Sequence, residues 1–281
     1  MSGADKMGAD TTGADWIGRT RRATDTLSPR LIEAHRATFG DLLADLPVPP
    51  GLHWALAPDM VPPEQLGRDA HPRLGLVLPD LGLPRRMWAG GEITFHAPFQ
   101  PGDAVTRTST ITDVSHKCGR SGALAFVQVT HDYTARGQIC LTERQDIVYR
   151  EDPTGPAPVP DPAPDWPEAT ARQVMPDAVM LFRYSAITFN GHRIHYDHPY
   201  ATGVEGYAGL VVHGPMQALW MMNLVTRMLG ALPARLAYRG LRPLIADQTV
   251  TVEGRETTEG CELRVRRADG VATMQARAVR A

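Results

Sequence analysis

From Glu151 to Pro167 the chain reads EDPTGPAPVPDPAPDWP, seven prolines in 17 residues. So many prolines leave few amide protons for a helix or a sheet ladder and few side chains to bury. The stretch is therefore expected to run as a stiff, extended connector. It cuts a chain of 281 residues into two parts, each long enough to bury a core of its own.

The two parts carry the same kind of text. In the first, Ser28 and Pro29 suit the N-cap and first position of a helix whose apolar stripe includes Leu31, Ile32 and Phe39. Residues Pro47 to Arg86 are crowded with Pro and Gly and read as irregular chain wrapped on a surface. From Trp88, four segments rich in β-branched and aromatic residues alternate with Gly, Pro and Asp turns: WAGGEITFHAPFQPGD, AVTRTSTITDVSHK, LAFVQVTHDYTA and QICLTERQDIVYR. In the second part a strand-like entry, LFRYSAITFN, precedes a helix, GPMQALWMMNLVTRMLG. Its Leu219, Met222, Val225 and Met228 recur at helical spacing, and Gly230 suits a left-handed C-cap. Four more strand segments follow. The order predicts an α+β architecture in which each half is a helix wrapped by a curled antiparallel sheet and the two sheets pair edge to edge. The expected boundaries are a disordered leader over 1–15, a first unit over 16–150, the connector over 151–169 and a second unit over 170–281.

Composition excludes several classes of function. A net charge of −2 and a pI near 6.5 provide no basic field for nucleic acid or anionic lipid. Cys118, Cys140 and Cys261 are widely spaced with no CxxC pair, so reduced thiols are expected, with neither a disulfide framework nor a cysteine zinc site. The opening MSGADKMGADTTGAD lacks the cationic and apolar regions of a signal peptide, and no apolar run reaches the ~18 residues that cross a bilayer. A cytoplasmic location is expected.

Three of the ten histidines, His192, His195 and His198, fall within seven residues in NGHRIHYDHPYA, which spans Asn190 to Ala201. Clustered imidazoles suit proton transfer near neutral pH, although a polar turn with backbone-bonded histidines is the simpler reading of any one of them. Downstream, GLVVHGPMQALW places His213-Gly214-Pro215 at the start of the long apolar helix. Main-chain N–H groups at a helix N-terminus suit an oxygen that gains negative charge. Together these features point to acyl chemistry.

These two segments resemble the MaoC-like (R)-specific enoyl-thioester hydratases, whose motif runs G-D-x-N-P-[apolar]-H-x-D-P-x-x-A and later A-H-G-x. They are more similar still to the double-hotdog type 2 hydroxyacyl-thioester dehydratases and to the mesaconyl-C4-CoA or itaconyl-CoA hydratases, where FNGHRIHYD and RGLRPL also fit. The motif resemblance covers about Phe182 to Leu244, and the double-hotdog layout it implies covers nearly the whole chain. It implies addition of water across the double bond of a 2-enoyl thioester, or the reverse, with coenzyme A as part of the substrate and no organic or metal cofactor.

Carried over by position, the family's catalytic histidine falls on His195 and its oxyanion-hole glycine on Gly214. The family's Asp, five residues before that histidine, is Asn190 here, and its Asn is His192. An amide cannot exchange a proton at neutral pH, so a simple Asp/His dyad is not expected. The roles implied are His195 as acid/base, Asn190 orienting water, Gly214 N–H as oxyanion donor and His192 as second proton carrier. Asp197 would fix the His195 ring or lie outside the site. His213 positions the helix start and joins the candidates for substrate contact. Arg239 and Arg242, in YRGLRPL, could grip coenzyme A phosphates or a substrate carboxylate. Arg193 and Lys117 are further basic candidates.

The first half lacks any such histidine motif and reads as a degenerate copy. The expected substrate is a short branched C5 dicarboxylyl-CoA. The alternatives are a 3-hydroxyacyl-thioester dehydratase of fatty acyl chains, a metal-dependent hydrolase using His192, His195 and Asp197, and a non-catalytic acyl-CoA-binding double hotdog. No nucleic-acid or membrane partner is expected, and exposed sheet edges would suit a homodimer or higher homo-oligomer.

Overall fold

The computed structural model describes residues 12–119, 122–151 and 161–281. The leader's residues 1–11 and the connector's residues 152–160 lie outside the described residues. The first half contributes β1 (Thr20–Thr26), α1 (Pro29–Phe39), β2 (Arg85–Phe95), β3 (Ala104–Gly119), β4 (Gly122–Ala135) and β5 (Gln138–Arg150). The second contributes β6 (Thr170–Val174), α2 (Ala178–Thr188), α3 (His198–Gly203), α4 (Gly214–Leu229), β7 (Arg235–Gly240), β8 (Val250–Glu256), β9 (Gly260–Arg267) and β10 (Ala272–Val279).

All ten strands form one open antiparallel sheet in the order β1-β3-β4-β5-β2-β7-β10-β9-β8-β6. Read outward from the centre, each half repeats the same order, so the duplicated text of the sequence becomes a duplicated sheet. The halves join where β2 pairs with β7, Gly91 opposite Tyr238. Gly91 is required there: a Cβ would fall 2.1 Å from the Arg144 carbonyl oxygen and 2.4 Å from the Tyr238 hydroxyl. The structure is the α+β double hotdog that the resemblance implied.

Helix α4 fills the second half of the sheet. Residues Met216 through Thr226 are all buried, as suits a helix enclosed on every side. Each fully buried large apolar side chain there contributes about 1.5–3 kcal/mol. The helix ends at Gly230 with φ 71°, the left-handed cap its sequence predicts. Among the described residues the first half has no helix of comparable length, since α1 has 11 residues and α4 has 16. Instead, the Pro- and Gly-rich segment after α1 packs onto α4, with Leu52, Ala55, Leu56 and Ala57 buried. Asn223 of α4 anchors it. Its Oδ1 accepts from Ala44 N–H at 2.9 Å, and its Nδ2 donates to the Pro50 carbonyl at 2.9 Å.

Three expectations change. The segment between Pro47 and Arg86 covers the core rather than a surface, because Leu52, Ala55 and Leu56 lie in the core cluster with α4, and Leu81 and Leu83 pack with Ile111, Val127 and Tyr149 of the first half's strands. LFRYSAITFN lies mostly in helix α2, not a strand: Asp177 caps it by accepting from Met180 N–H at 2.7 Å, and burial of Leu181, Tyr184 and Ser185 follows a helical period. The described end of the connector is also held in place. Trp166 lies under the Arg264 guanidinium at 3.9 Å, and Asp165 pairs with Arg266 at 2.7 Å. The 3-10 turn Ala14–Trp16 straddles the boundary expected between the leader and the first unit. Among the described residues, no helix is long and apolar enough to cross a membrane.

Candidate active site

After α2, Phe189 turns the chain in the left-handed region at φ 52°, and Asn190 Oδ1 accepts from His192 N–H at 2.9 Å. That turn leads into the 3-10 turn Arg193–His195. Two bonds tie the turn to the segment before α4. Val211 N–H donates to the Ile194 carbonyl at 2.9 Å, and His195 Nδ1 lies 2.6 Å from the Val211 carbonyl. A carbonyl oxygen only accepts, so Nδ1 carries the proton and Nε2 keeps its lone pair. The backbone thus fixes His195 in the tautomer a general base needs.

The His195 ring stacks on His213, with centroids 3.5 Å apart and planes 19° from parallel. His213 is fully buried, and its Nε2 is 2.8 Å from Ser185 Oγ. Immediately after it, Gly214 opens α4, where Pro215 offers no N–H and the first-turn amides have no intrahelical acceptor. Gly214 is needed for packing as well as exposure: a Cβ there would sit 2.6 Å from Trp88 Cε3 of the first half. Trp88 in turn stacks on Tyr238 at 4.7 Å. The base therefore stacks on the residue next to the main-chain donors of Gly214, whose packing partner Trp88 belongs to the aromatic stack at the β2–β7 junction.

On its other side His195 meets His192 at 5.3 Å, and His192 meets His71 at 4.4 Å, giving a row of four imidazoles. Burial, followed by the neighbouring His192, lowers the His195 pKa well below the ordinary histidine value. Burial and then His195 do the same for His213, while burial and then His71 lower His192 to about 2. All three rings are therefore neutral at physiological pH, and His195 keeps its Nε2 lone pair.

Of the residues expected from sequence, His195, His192, Asn190, His213 and Gly214 are brought together. Asp197 is not. Its Oδ1 caps α3 by accepting from Tyr200 N–H at 3.1 Å, and its Oδ2 accepts from Arg193 Nη2 at 2.7 Å, so it neither fixes the His195 ring nor joins His192 and His195 as a metal ligand. Arg193 is equally committed: besides Asp197 it covers the Tyr200 ring at 4.0 Å and donates to the Arg68 carbonyl, which leaves it unsuited to gripping coenzyme A. His213, with no exposed surface, supports the His195 ring rather than reaching a headgroup. Lys117 lies on the outer β3–β4 hairpin with its ammonium over Phe126 at 4.9 Å, apart from the histidine row. Arg239 is exposed at the end of β7, and Arg242 follows it half-buried, donating its N–H to the Thr273 carbonyl.

The sequence reading missed the first half's share: Trp88, Asp69 and His71. The signal was the GRDAHP segment, passed over inside a Pro- and Gly-rich stretch. Asp69, His71 and His192 offer donor atoms within 4.8 Å of one another. Arg86 Nη2 lies 3.5 Å from Asp69 Oδ2, however, and a guanidinium there opposes a dication, so the group is a poor metal centre. A cavity of about 470 Å³ lies in the first half, lined among others by Trp16, Leu78, Ile111, His131 and Ile147, and no member of the histidine row borders it.

The family model of hydroxyacyl-thioester dehydratase type 2 matches residues 51–246. A mesaconyl-C(4)-CoA hydratase of Chloroflexus aurantiacus is 39% identical over 98% of both chains. The chain belongs to the type 2 hydroxyacyl-thioester dehydratase family. Among solved structures, HtdX of Mycobacterium tuberculosis superposes with a TM-score of 0.68 over 93% of this chain and 99% of its own, at 19% identity. A second M. tuberculosis protein, whose fold is a double hotdog, gives 0.57 over 94% and 96% at 15% identity. As a type 2 hydroxyacyl-thioester dehydratase family member the chain is a hydro-lyase.

Proposed function

We propose that this protein adds water to a short branched C5 dicarboxylyl-CoA, mesaconyl-C4-CoA in the first place and itaconyl-CoA as the related candidate. The observation that carries the reading is the His195 ring, held with Nε2 unprotonated beside the main-chain donors at Gly214. The near full-length relative that hydrates mesaconyl-C(4)-CoA supports the choice of acyl group.

In this mechanism the thioester oxygen accepts from Gly214 N–H, which draws electron density from the double bond and leaves the β carbon electrophilic. His195 Nε2 takes a proton from water as the water oxygen bonds to that carbon. The electron pair of the double bond passes to the thioester oxygen as an enolate. The enolate collapses as the proton taken up by His195 is relayed through His192 to the α carbon, which leaves both rings neutral as they began. One water is consumed and the thioester stays intact. Asn190 holds the turn through Oδ1 and has its amide nitrogen to orient the water. Arg239 and Arg242 are the residues we assign to the phosphates of coenzyme A or the free carboxylate of the acyl group. The chemistry needs no organic or metal cofactor.

We also place the enzyme in the cytoplasm, where buried free thiols such as Cys140 and Cys261 stay reduced. A homo-oligomer would cover the edge strands β1 and β6. A hydration assay over mesaconyl-C4-CoA, itaconyl-CoA, crotonyl-CoA and long-chain 2-enoyl-CoA esters tests the substrate. The expected result is the highest kcat/KM for a C5 dicarboxylyl ester. Preference for long chains would instead favour a fatty acyl dehydratase, and tight binding without turnover a non-catalytic module.

A further inference from the structure

The hydration site proposed above contains no carboxylate from its own segment, since residue 190 is an amide and Asp197 is turned toward Arg193. The first half brings one. Residues 65–73 form a tight turn in which Arg73 N–H donates to the Gln65 carbonyl at 2.8 Å and Gly67 N–H to the His71 carbonyl at 2.7 Å. Ala70 sits at its tip with φ 62°. Arg193 N–H donates to the Asp69 carbonyl at 3.1 Å, which docks this turn on the site loop, and a Cβ on Gly191 would come within 3.0 Å of the Ala70 oxygen. The contact between the two loops is thus close and bonded, and Gly191 is what allows it.

Within the turn, Asp69 Oδ1 accepts from His71 N–H at 3.1 Å, and Oδ2 lies 3.3 Å from His71 Nδ1. An ionised carboxylate only accepts, so His71 carries its proton on Nδ1. The His71 ring then lies 4.4 Å from that of His192. Neither His192 ring nitrogen makes a hydrogen bond among the described residues, so ring contacts with His71 and His195 are what hold it.

We propose that Asp69 and His71 are positioning residues for hydration: the carboxylate fixes His71, His71 orients His192, and the negative charge absent at Asn190 is thereby supplied by the other half of the chain. The inference rests on the proposed hydratase reading. Positive charge passing along the row of rings during turnover finds its counter-charge at Asp69. Arg86, 3.5 Å from the same carboxylate, keeps that residue ionised alongside His71. The charged and titratable groups that bear on His192 are Asp69, His71, Arg86, His195 and His213. The first half is then not merely a degenerate cover. It completes the site.

The test is steady-state hydration of mesaconyl-C4-CoA by the full chain and by Asp69→Asn and Asp69→Glu. The expected result for Asp69→Asn is a kcat lower by about 10- to 100-fold with KM changed by less than about twofold, as for loss of a partner that orients an acid/base group. The carboxylate favours the protonated imidazole, so its loss should make the row harder to protonate and move the acid limb of the kcat profile to lower pH, and Asp69→Glu should recover most of the rate. Native kcat with an unshifted profile in Asp69→Asn overturns the proposal, as does an Asp69→Glu variant no better than the amide. Loss of native activity on chelation, restored by zinc, overturns it in favour of a metal site. If the native chain hydrates no enoyl-CoA, the functional reading itself has failed. Should Asp69→Asn not fold, ¹⁵N-histidine spectra of the native protein decide: His71 as the Nδ1–H tautomer supports the pairing, and the Nε2–H tautomer overturns it.

Discussion

His195→Ala is expected to lower kcat for hydration of mesaconyl-C4-CoA by about 10³-fold, the middle of the range for a positioned general base. No neighbouring ring can take over. His213 is fully buried with Nε2 on Ser185, and His192 lies on the far side of His195, 5.3 Å away. The native enzyme should also keep its kcat/KM as the pH falls below 6.5, because burial, first, and His192, second, hold His195 below that value and leave it unprotonated. Steady-state kinetics with far-UV circular dichroism as the folding control check both. A loss of less than about tenfold in the variant, or an acid limb at the pH of a free imidazole, contradicts the assignment.

Glu143→Ala is expected to cost about 3–5 kcal/mol of stability, the range for removing one member of a buried charged group. This fully buried carboxylate on β5 accepts from Trp54 Nε1 at 2.9 Å, from Tyr238 Oη at 2.7 Å and from Gln145 Nε2 at 3.1 Å. It therefore ties the irregular segment of the first half to β7 of the second half, behind the Trp88–Tyr238 stack. Burial alone would raise its pKa, but His53, whose Nε2 lies 3.7 Å from Oε2, and the bond from Tyr238 bring it down to about 2. A folded value below the unfolded one means that Glu143 stabilises fully above the ordinary carboxylate pKa. That contribution fades as the pH falls toward 2. Urea unfolding at neutral pH and near pH 3 measures both effects. The variant should lose most at neutral pH, and an equal loss at the two values would contradict the ionised state.

How much of this was legible in the sequence depended on distance along the chain. The four-strand runs, the Ser28 cap of α1 and the Gly230 cap of α4 are local patterns, and each was readable from a few neighbouring residues. The NGHRIHYD and VVHGP segments were readable for the same reason, and the fold brings them together through the Ile194–Val211 and His195–Val211 bonds. Helix α2 was misread because Phe182, Phe189 and the β-branched Ile187 suggested a strand. The Asp177 cap and the burial of Leu181, Tyr184 and Ser185 decide for a helix. Asp197 looked like a ring-fixing carboxylate by spacing, yet position 197 is also the N-cap of α3, and the helix claims it. GRDAHP shows Asp69 and His71 as a local polar pair, but their bearing on the site was out of reach, since they stand more than a hundred residues before His192 and meet it only when the first half docks.

The account stands most directly on the fate of one water molecule. Mesaconyl-C4-CoA incubated with the native protein in H₂¹⁸O and, separately, in D₂O should give a hydroxyacyl-CoA with one ¹⁸O on the carbon β to the thioester and one deuterium on the α carbon, with the thioester intact. Neither label should enter when His195 is alanine. Release of free coenzyme A, or label incorporation that persists without the imidazole, would contradict it.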